Sequence, residues 1–151
     1  MRLHRAPLFL STLAAVTLFA ASSAHADDKI LHIPLKDVID MPEAKGKLDG
    51  TVTFYLAGQT TPKVLSKSND DVSNKRTNAV GKDEIFACKW AALSALIALQ
   101  DKAKTLDANG VMNIVSYFKK ETYSDPVNFE CRKGALMAAV TLKGNYVKLE
   151  Q

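Results

Sequence analysis

The two cysteines of the chain, Cys88 and Cys131, have the most distinctive chemistry in the sequence. Such a pair can form a structural disulfide, act as reactive thiols, or bind a metal ion. The two residues do not form a C-x-x-C motif, which is the spacing typical of redox and zinc sites. If the chain is exported to an oxidising compartment, we therefore expect a structural Cys88–Cys131 disulfide.

Motifs for catalysis and for cofactor binding are not found in the sequence. A phosphate-binding loop ends in Gly-Lys followed by Ser or Thr, and neither Gly-Lys pair, at 46–47 or 81–82, is followed by such a residue. His32 is the one histidine after residue 26, and we interpret it as a rim residue of a strand rather than a catalytic base. Residues 69–74 lack the glycine and the closing glutamate of a calcium loop. We expect no catalytic residues, no metal and no cofactor.

The most polar part of the chain, residues 58–82, is the best candidate for a binding segment. Turn-forming residues interrupt it, so we expect irregular strands and loops there. Its basic residues could form either a ligand-facing patch or a solvated face: Lys63, Lys67, Lys75 and Arg76. The segment holds no aromatic residue that could stack on bases, so it does not indicate nucleic-acid binding.

Residues 1–26 have the three parts of a secretory signal peptide. Two arginines precede an apolar run over residues 8–21, which is short for a membrane span, and small residues then offer a cleavage site between Ala26 and Asp27. We expect export to the periplasm and no stable membrane insertion after cleavage. Without those two arginines the 20 Lys and Arg fall to 18, against 16 Asp and Glu. A net charge of +2 does not favour nucleic acid as a partner.

The remaining residues, 27–151, have the length of a single domain. Apolar and β-branched patterns predict strands over 29–35, 51–56, 111–118 and 129–144, with a short amphipathic helix over 35–45. We expect Gly134 to be a bulge within the last strand. The sequence predicts an α+β domain, with a small antiparallel sheet packed against one long apolar helix.

That helix is the clearest element of the sequence. It begins at Asp83, whose side chain can cap it, and ends near Asp107, before an Asn-Gly stop. No charged residue lies between Lys89 and Gln100, so we expect this stretch to be covered on most sides. The sheet, the 58–82 segment and a partner subunit are the candidates for that cover.

Three segments carry a resemblance to known proteins: CKWAALSAL at 88–96, ANGVMNIV at 108–115 and ECRKGALMAAV at 130–140. Together they resemble a family of small secreted bacterial proteins of unknown function that is often labelled "excinuclease ATPase subunit". The label implies ATP-driven DNA repair. The missing phosphate-binding loop, the near-neutral mature charge and the export signal contradict that activity, so we interpret the label as a misnomer.

More distantly, the long helix and the turn after it are similar to the YbjQ-like fold and to the periplasmic domain of the Rcs envelope-stress lipoprotein. The first resemblance implies oligomers, and the second implies protein–protein signalling. This chain has neither the lipid-attachment cysteine nor the second cysteine pair of that sensor, so the signalling role is not carried over.

Three hypotheses for function follow from the sequence. The leading one is an exported, non-catalytic binding or envelope-stress domain whose partner is another protein or a second copy, joined through the apolar helix. The second is a small-ligand or metal-binding protein that uses the 58–82 segment. The third is a thiol redox protein.

Overall fold

A computed structural model describes residues 28–151, so the predicted signal peptide and the predicted Ala26–Asp27 cleavage site lie outside the described residues. The strands of this part are β1 (Lys29–Pro34), β2 (Thr53–Leu56), β3 (Val64–Asn78), β4 (Gly110–Ser116), β5 (Asn128–Lys133) and β6 (Met137–Leu149). The helices are α1 (Leu35–Ile39), α2 (Glu84–Thr105) and two short 3-10 turns at Pro42–Ala44 and Phe118–Lys120.

All six strands belong to one sheet, in which β6 is the central strand. β5 and β4 pair with successive halves of one side of β6, and β3 pairs along its other side. β1 continues the sheet beyond β5, and β2 continues it beyond β4. The expectation of an antiparallel sheet is wrong in one place, because β2 runs parallel to β4. The intervening β3 and α2 form a long crossover between β2 and β4, which a parallel pair requires.

Two expectations about local structure are also wrong. Most of the 58–82 segment is not irregular, since 15 of its residues form the single strand β3. Gly134 is not a bulge, because it lies in the tight turn between β5 and β6, where its N–H donates to the Met137 carbonyl at 2.9 Å. The predicted helix after β1 is shorter than expected and ends at Ile39.

Helix α2 packs on one face of the sheet, and its start agrees with the sequence. The Asp83 carboxylate caps it by accepting a hydrogen bond from the Phe86 N–H at 2.8 Å. Every residue from Ala87 to Gln100 is buried or half-buried. Part of the cover comes from β3, whose Ser73 hydroxyl donates to the Ala95 carbonyl of the helix at 3.2 Å.

A disulfide joins Cys88 in the second turn of α2 to Cys131 in β5, as expected from the sequence. The two Cα atoms are 5.8 Å apart, and both residues are fully buried. The bond therefore fixes the beginning of the helix on the sheet.

Candidate functional site

The basic residues singled out in the sequence do not gather into one patch. Lys63 precedes β3 and forms an ion pair with Glu150, at 3.4 Å between Nζ and Oε1. Lys67 lies in the first half of β3, whereas Lys75 and Arg76 lie near its end. Successive side chains of a strand point to opposite faces, so Lys75 and Arg76 face different sides of the sheet. The four residues therefore do not form a single ligand-facing patch.

The strand β3 has one free edge. This strand pairs with β6 on one side, and no strand of the described region pairs with its other side. Ser73 is the one buried residue of its 15, and all the others are exposed or half-buried. Edge strands of this length are templates for pairing with another chain.

The hydrogen bonds around β3 show which main-chain groups face this edge. The Val72 N–H donates to the neighbouring Asp71 carboxylate at 2.8 Å instead of to β6. In β6, the Thr141 carbonyl accepts a hydrogen bond from the Tyr117 N–H at 2.9 Å, so the main-chain groups of Thr141 point away from β3. Asn74 is the β3 residue opposite Thr141, and its main-chain groups therefore point away from β6. Because main-chain direction alternates along an antiparallel ladder, Val72, Asn74 and Arg76 direct their N–H and C=O groups to the free edge.

Side-chain contacts show which face of the sheet each residue occupies. Ser73 bonds to α2, and Asp71 accepts a hydrogen bond from the Tyr146 hydroxyl at 2.8 Å, so the odd-numbered residues of this stretch lie on the helix side. Asp70 lies on the opposite face, where its Oδ2 is 3.4 Å from the Lys143 Nζ. Each face of the strand therefore carries one acidic and one basic residue. Asp71 and Lys75 lie on the helix face, and Asp70 and Arg76 lie on the opposite face.

Tyr146 is the titratable residue of this region whose environment changes its pKa most. Burial raises the pKa of the phenol well above its usual value of about 10, and the hydrogen bond to the Asp71 carboxylate raises it further. The protonated phenol is therefore favoured in the folded protein, and its contribution to stability is fully present below pH 10. That contribution is lost as the pH rises towards the folded-state pKa.

We therefore expect the Tyr146→Phe variant to be less stable than the parent protein by about 1.5–3 kcal/mol at pH 7, since it loses one hydrogen bond to a charged group. The difference between the two proteins should shrink as the pH rises above 10. Urea unfolding at pH 7, 9 and 10.5 measures this. Lysine residues also titrate in this pH range, but they do so in both proteins and therefore do not change the difference in stability between them. A difference that stays constant across this range would contradict the assigned role of the phenol.

A second group of ionisable residues lies on the sheet face away from α2, around His32. The His32 ring stacks on Tyr123, with ring centroids 4.4 Å apart, and its Nε2 is 3.8 Å from the Glu130 Oε2. Glu130 in turn accepts a hydrogen bond from the Arg132 Nε at 2.7 Å. About half of the His32 side chain is exposed, and among residues 28–151 no serine, threonine or cysteine side chain is hydrogen-bonded to it.

The remaining candidate sites are weaker. An apolar pocket of about 310 Å³ lies between the end of α1 and β2 and is lined mainly by Ile39, Ala44, Leu48, Val52 and Phe54. Its volume is at the lower end of the range for ligand sites, and Lys45 is its one charged residue. Within residues 28–151, no three His, Cys, Asp or Glu side chains gather where they could hold a metal ion.

Comparisons with known proteins add no family assignment. No protein-family model matches the chain, and no curated protein matches it. In the described part of the chain, no helix combines the length and the apolar character needed to cross a membrane.

The acidic half of the β3 edge is the feature that sequence reasoning missed. The sequence predicts irregular strands and loops over 58–82, whereas Asp70 and Asp71 lie within the strand β3 and precede the basic pair by five residues. The order acid-acid, three uncharged residues, base-base was visible in the sequence as DDVSNKR. Its meaning depends on knowing that the segment is an edge strand.

Proposed function

We propose that this protein is an exported, non-catalytic interaction domain that binds an extended strand of a protein partner along the free edge of β3. The observation that carries the proposal is the row of main-chain groups at Val72, Asn74 and Arg76, which face away from the sheet. Strand addition at such an edge obtains affinity from main-chain hydrogen bonds and specificity from the side chains on either side.

The form of the edge supports this function. Proteins usually block an edge strand with proline, with bulges or with a short length. β3 contains no proline, and its two register shifts lie before Asp70. From Asp70 to Asn78 its pairing with β6 is continuous, so this stretch is straight enough to accept another strand.

Export to the periplasm is part of the proposal. It is supported by the three-part signal of residues 1–26 and by the buried Cys88–Cys131 disulfide, since such bonds persist in oxidising compartments. A role in the envelope-stress response rests on the distant resemblance to the Rcs lipoprotein domain alone. Fractionation of cells that express the full chain tests the export, and the protein should be found in the periplasmic fraction.

The two other hypotheses from the sequence find less support. A metal or small-ligand site in the 58–82 segment would need its basic residues or its carboxylates to converge, and they lie along an extended strand instead. A thiol oxidoreductase needs an accessible sulfur atom, whereas both cysteines are bonded to each other and fully buried.

Site-specific photo-crosslinking of the protein exported to the periplasm tests the proposed function. A photoreactive residue at Asn74 should form adducts, whereas the same residue at the exposed Lys36 should not, because Lys36 lies in α1 directly after β1, and β5 and β6 separate β1 from β3. Mass spectrometry then shows whether the adduct contains another protein or a second copy of this chain.

The matched edge-blocking variant is Val72→Pro, which removes an N–H that faces the free edge and leaves the ladder with β6 in place. It should abolish the adduct at position 74, and Arg76→Pro serves the same purpose if Val72→Pro does not fold. Equal adducts at 74 and 36, or an adduct at 74 that both folded proline variants retain, would contradict strand addition.

A further inference from the structure

We infer that the strand added to β3 is β3 of a second copy of this chain, paired antiparallel about a twofold axis at Ser73. This inference rests on the proposed function and names its partner. Two copies related by a twofold axis present the same patch to each other, and two edge strands related in this way run antiparallel.

The direction of the main chain restricts the registers that such a pair can use. Val72, Asn74 and Arg76 face the edge, so even-numbered residues must lie opposite even-numbered residues. An axis at Ser73 satisfies this condition, because it places Val72 opposite Asn74 and Asp70 opposite Arg76. Each of these pairs occurs twice across the axis and exchanges main-chain hydrogen bonds.

The charges select this register among those that the main chain allows. With the axis at Ser73, Arg76 lies opposite Asp70 on the outer face, and Lys75 lies opposite Asp71 on the helix face. Both pairs are formed twice, so all four charged residues meet an opposite charge on their own face. With the axis moved by one residue to Val72, Lys75 would meet Asn69 and Arg76 would meet Ser68, and no opposite charges would face each other.

The contacts within one subunit fit this exchange. The Val72 N–H, now bonded to the Asp71 Oδ1, would donate to the Asn74 carbonyl of the second copy. That releases the Asp71 Oδ1 for the Lys75 ammonium of the second copy, while the Asp71 Oδ2 keeps the hydrogen bond from Tyr146. Asp71 therefore covers a free edge amide in the single subunit and forms an ion pair in the dimer.

Charged residues on an edge strand usually prevent pairing. Here their order is self-complementary, so it favours the register centred on Ser73 over the neighbouring register, in which no opposite charges face each other. Because exposed ion pairs contribute little affinity, the main-chain ladder supplies the binding and the charges supply the choice of partner. A ladder of seven residues is about 23 Å long, which is a small interface, so we expect a dimer that dissociates on dilution.

Sedimentation of the mature protein with its disulfide intact, over a wide concentration range, tests the inference. The parent protein should show a monomer–dimer equilibrium. An acidic variant, Lys75→Glu with Arg76→Glu, and a basic variant, Asp70→Lys with Asp71→Lys, should each weaken dimerisation by at least about 10-fold, because like charges then face each other. An equimolar mixture of the two variants should recover the dimer, since every facing pair is again of opposite sign.

The control variant is Lys63→Glu with Lys67→Glu, which changes the net charge as the acidic variant does but lies outside the seven-residue ladder. It should dimerise like the parent protein. If Asp71→Lys prevents folding, the single pair Arg76→Glu and Asp70→Lys provides the same mixing test, because Asp70 is exposed and does not contact Tyr146.

A parent protein that stays monomeric at every concentration would overturn the self-pairing, and so would a dimer that the two charge variants leave unchanged. The crosslinking experiment distinguishes failure of the self-pairing from failure of the proposed function. An adduct at Asn74 with a different protein supports strand addition and rejects self-pairing, whereas no edge-dependent adduct together with a monomeric protein rejects both.

Discussion

Replacing both Cys88 and Cys131 with alanine should lower the free energy of unfolding by about 4 kcal/mol. The disulfide closes a loop with a sequence separation of 43 residues, and the chain entropy that it removes from the unfolded state corresponds to about this value. The alanine variant also leaves two small cavities, because both cysteines are fully buried. Urea unfolding of the two proteins at the same pH measures the difference.

The matched control for this prediction is the parent protein unfolded in the presence of a reductant that breaks the bond in the unfolded state. Its stability should approach that of the double alanine variant. A difference below about 1 kcal/mol between oxidised and double-alanine proteins would mean that the bond does not restrain the unfolded chain as assumed. Alkylation before reduction should modify neither cysteine of the parent protein.

The disulfide also matters for the proposed interaction, through the position of the helix. It fixes the start of α2 on β5, and the same helix meets β3 through the Ser73–Ala95 hydrogen bond. β3 is thus held from both its β6 side and its helix face, and its remaining side is free. A strand held in this way is pre-organised, which lowers the cost of ordering it when a partner binds.

The elements that the sequence predicted well are those with local signals. The α2 helix begins at Asp83 because one side chain caps it, and its uncharged stretch marks the part that the sheet covers. β4 follows the apolar run that starts at Val111, and β1 ends at Pro34. An even cysteine count and a predicted export signal were enough to predict the Cys88–Cys131 bond.

The elements that it predicted poorly depend on distant parts of the chain. β3 is polar, since 14 of its 15 residues are exposed or half-buried and one of its edges is unpaired within residues 28–151, so its composition resembles that of a loop. The parallel pairing of β2 with β4 is set by the crossover between them and leaves no local pattern. Gly134 suits both a bulge and a tight turn, and the choice depends on whether β5 and β6 fold back on each other.

The candidate site shows the same division between local and distant information. Their charge alone indicates that Lys75 and Arg76 are possible binding residues. Their relation to Asp70 and Asp71 required the strand, its free edge and the direction of its main chain, none of which a short sequence window contains. The sequence supplied the residue types, and the topology supplied their arrangement.

The position of α2 leads to the second prediction of large effect, which concerns Leu96. One hypothesis from the sequence is that this helix joins two copies, whereas Leu96 is fully buried inside the subunit. Leu96→Ala should therefore lower the free energy of unfolding by about 3 kcal/mol or more, through lost burial and the cavity that remains. The matched control is Leu106→Ala, since Leu106 is 48% exposed at the end of the same helix and should cost less than about 1 kcal/mol.

The same pair of variants distinguishes the two routes to a dimer. If β3 forms the interface, folded Leu96→Ala protein should sediment with the dimer affinity of the parent protein, because the substitution lies under the sheet and leaves the free edge intact. If the helix formed it, the variant would lose dimerisation while its unfolding free energy changed little. A large loss of stability with unchanged self-association therefore places Leu96 in the core of one subunit and excludes this face of α2 as the surface through which copies meet.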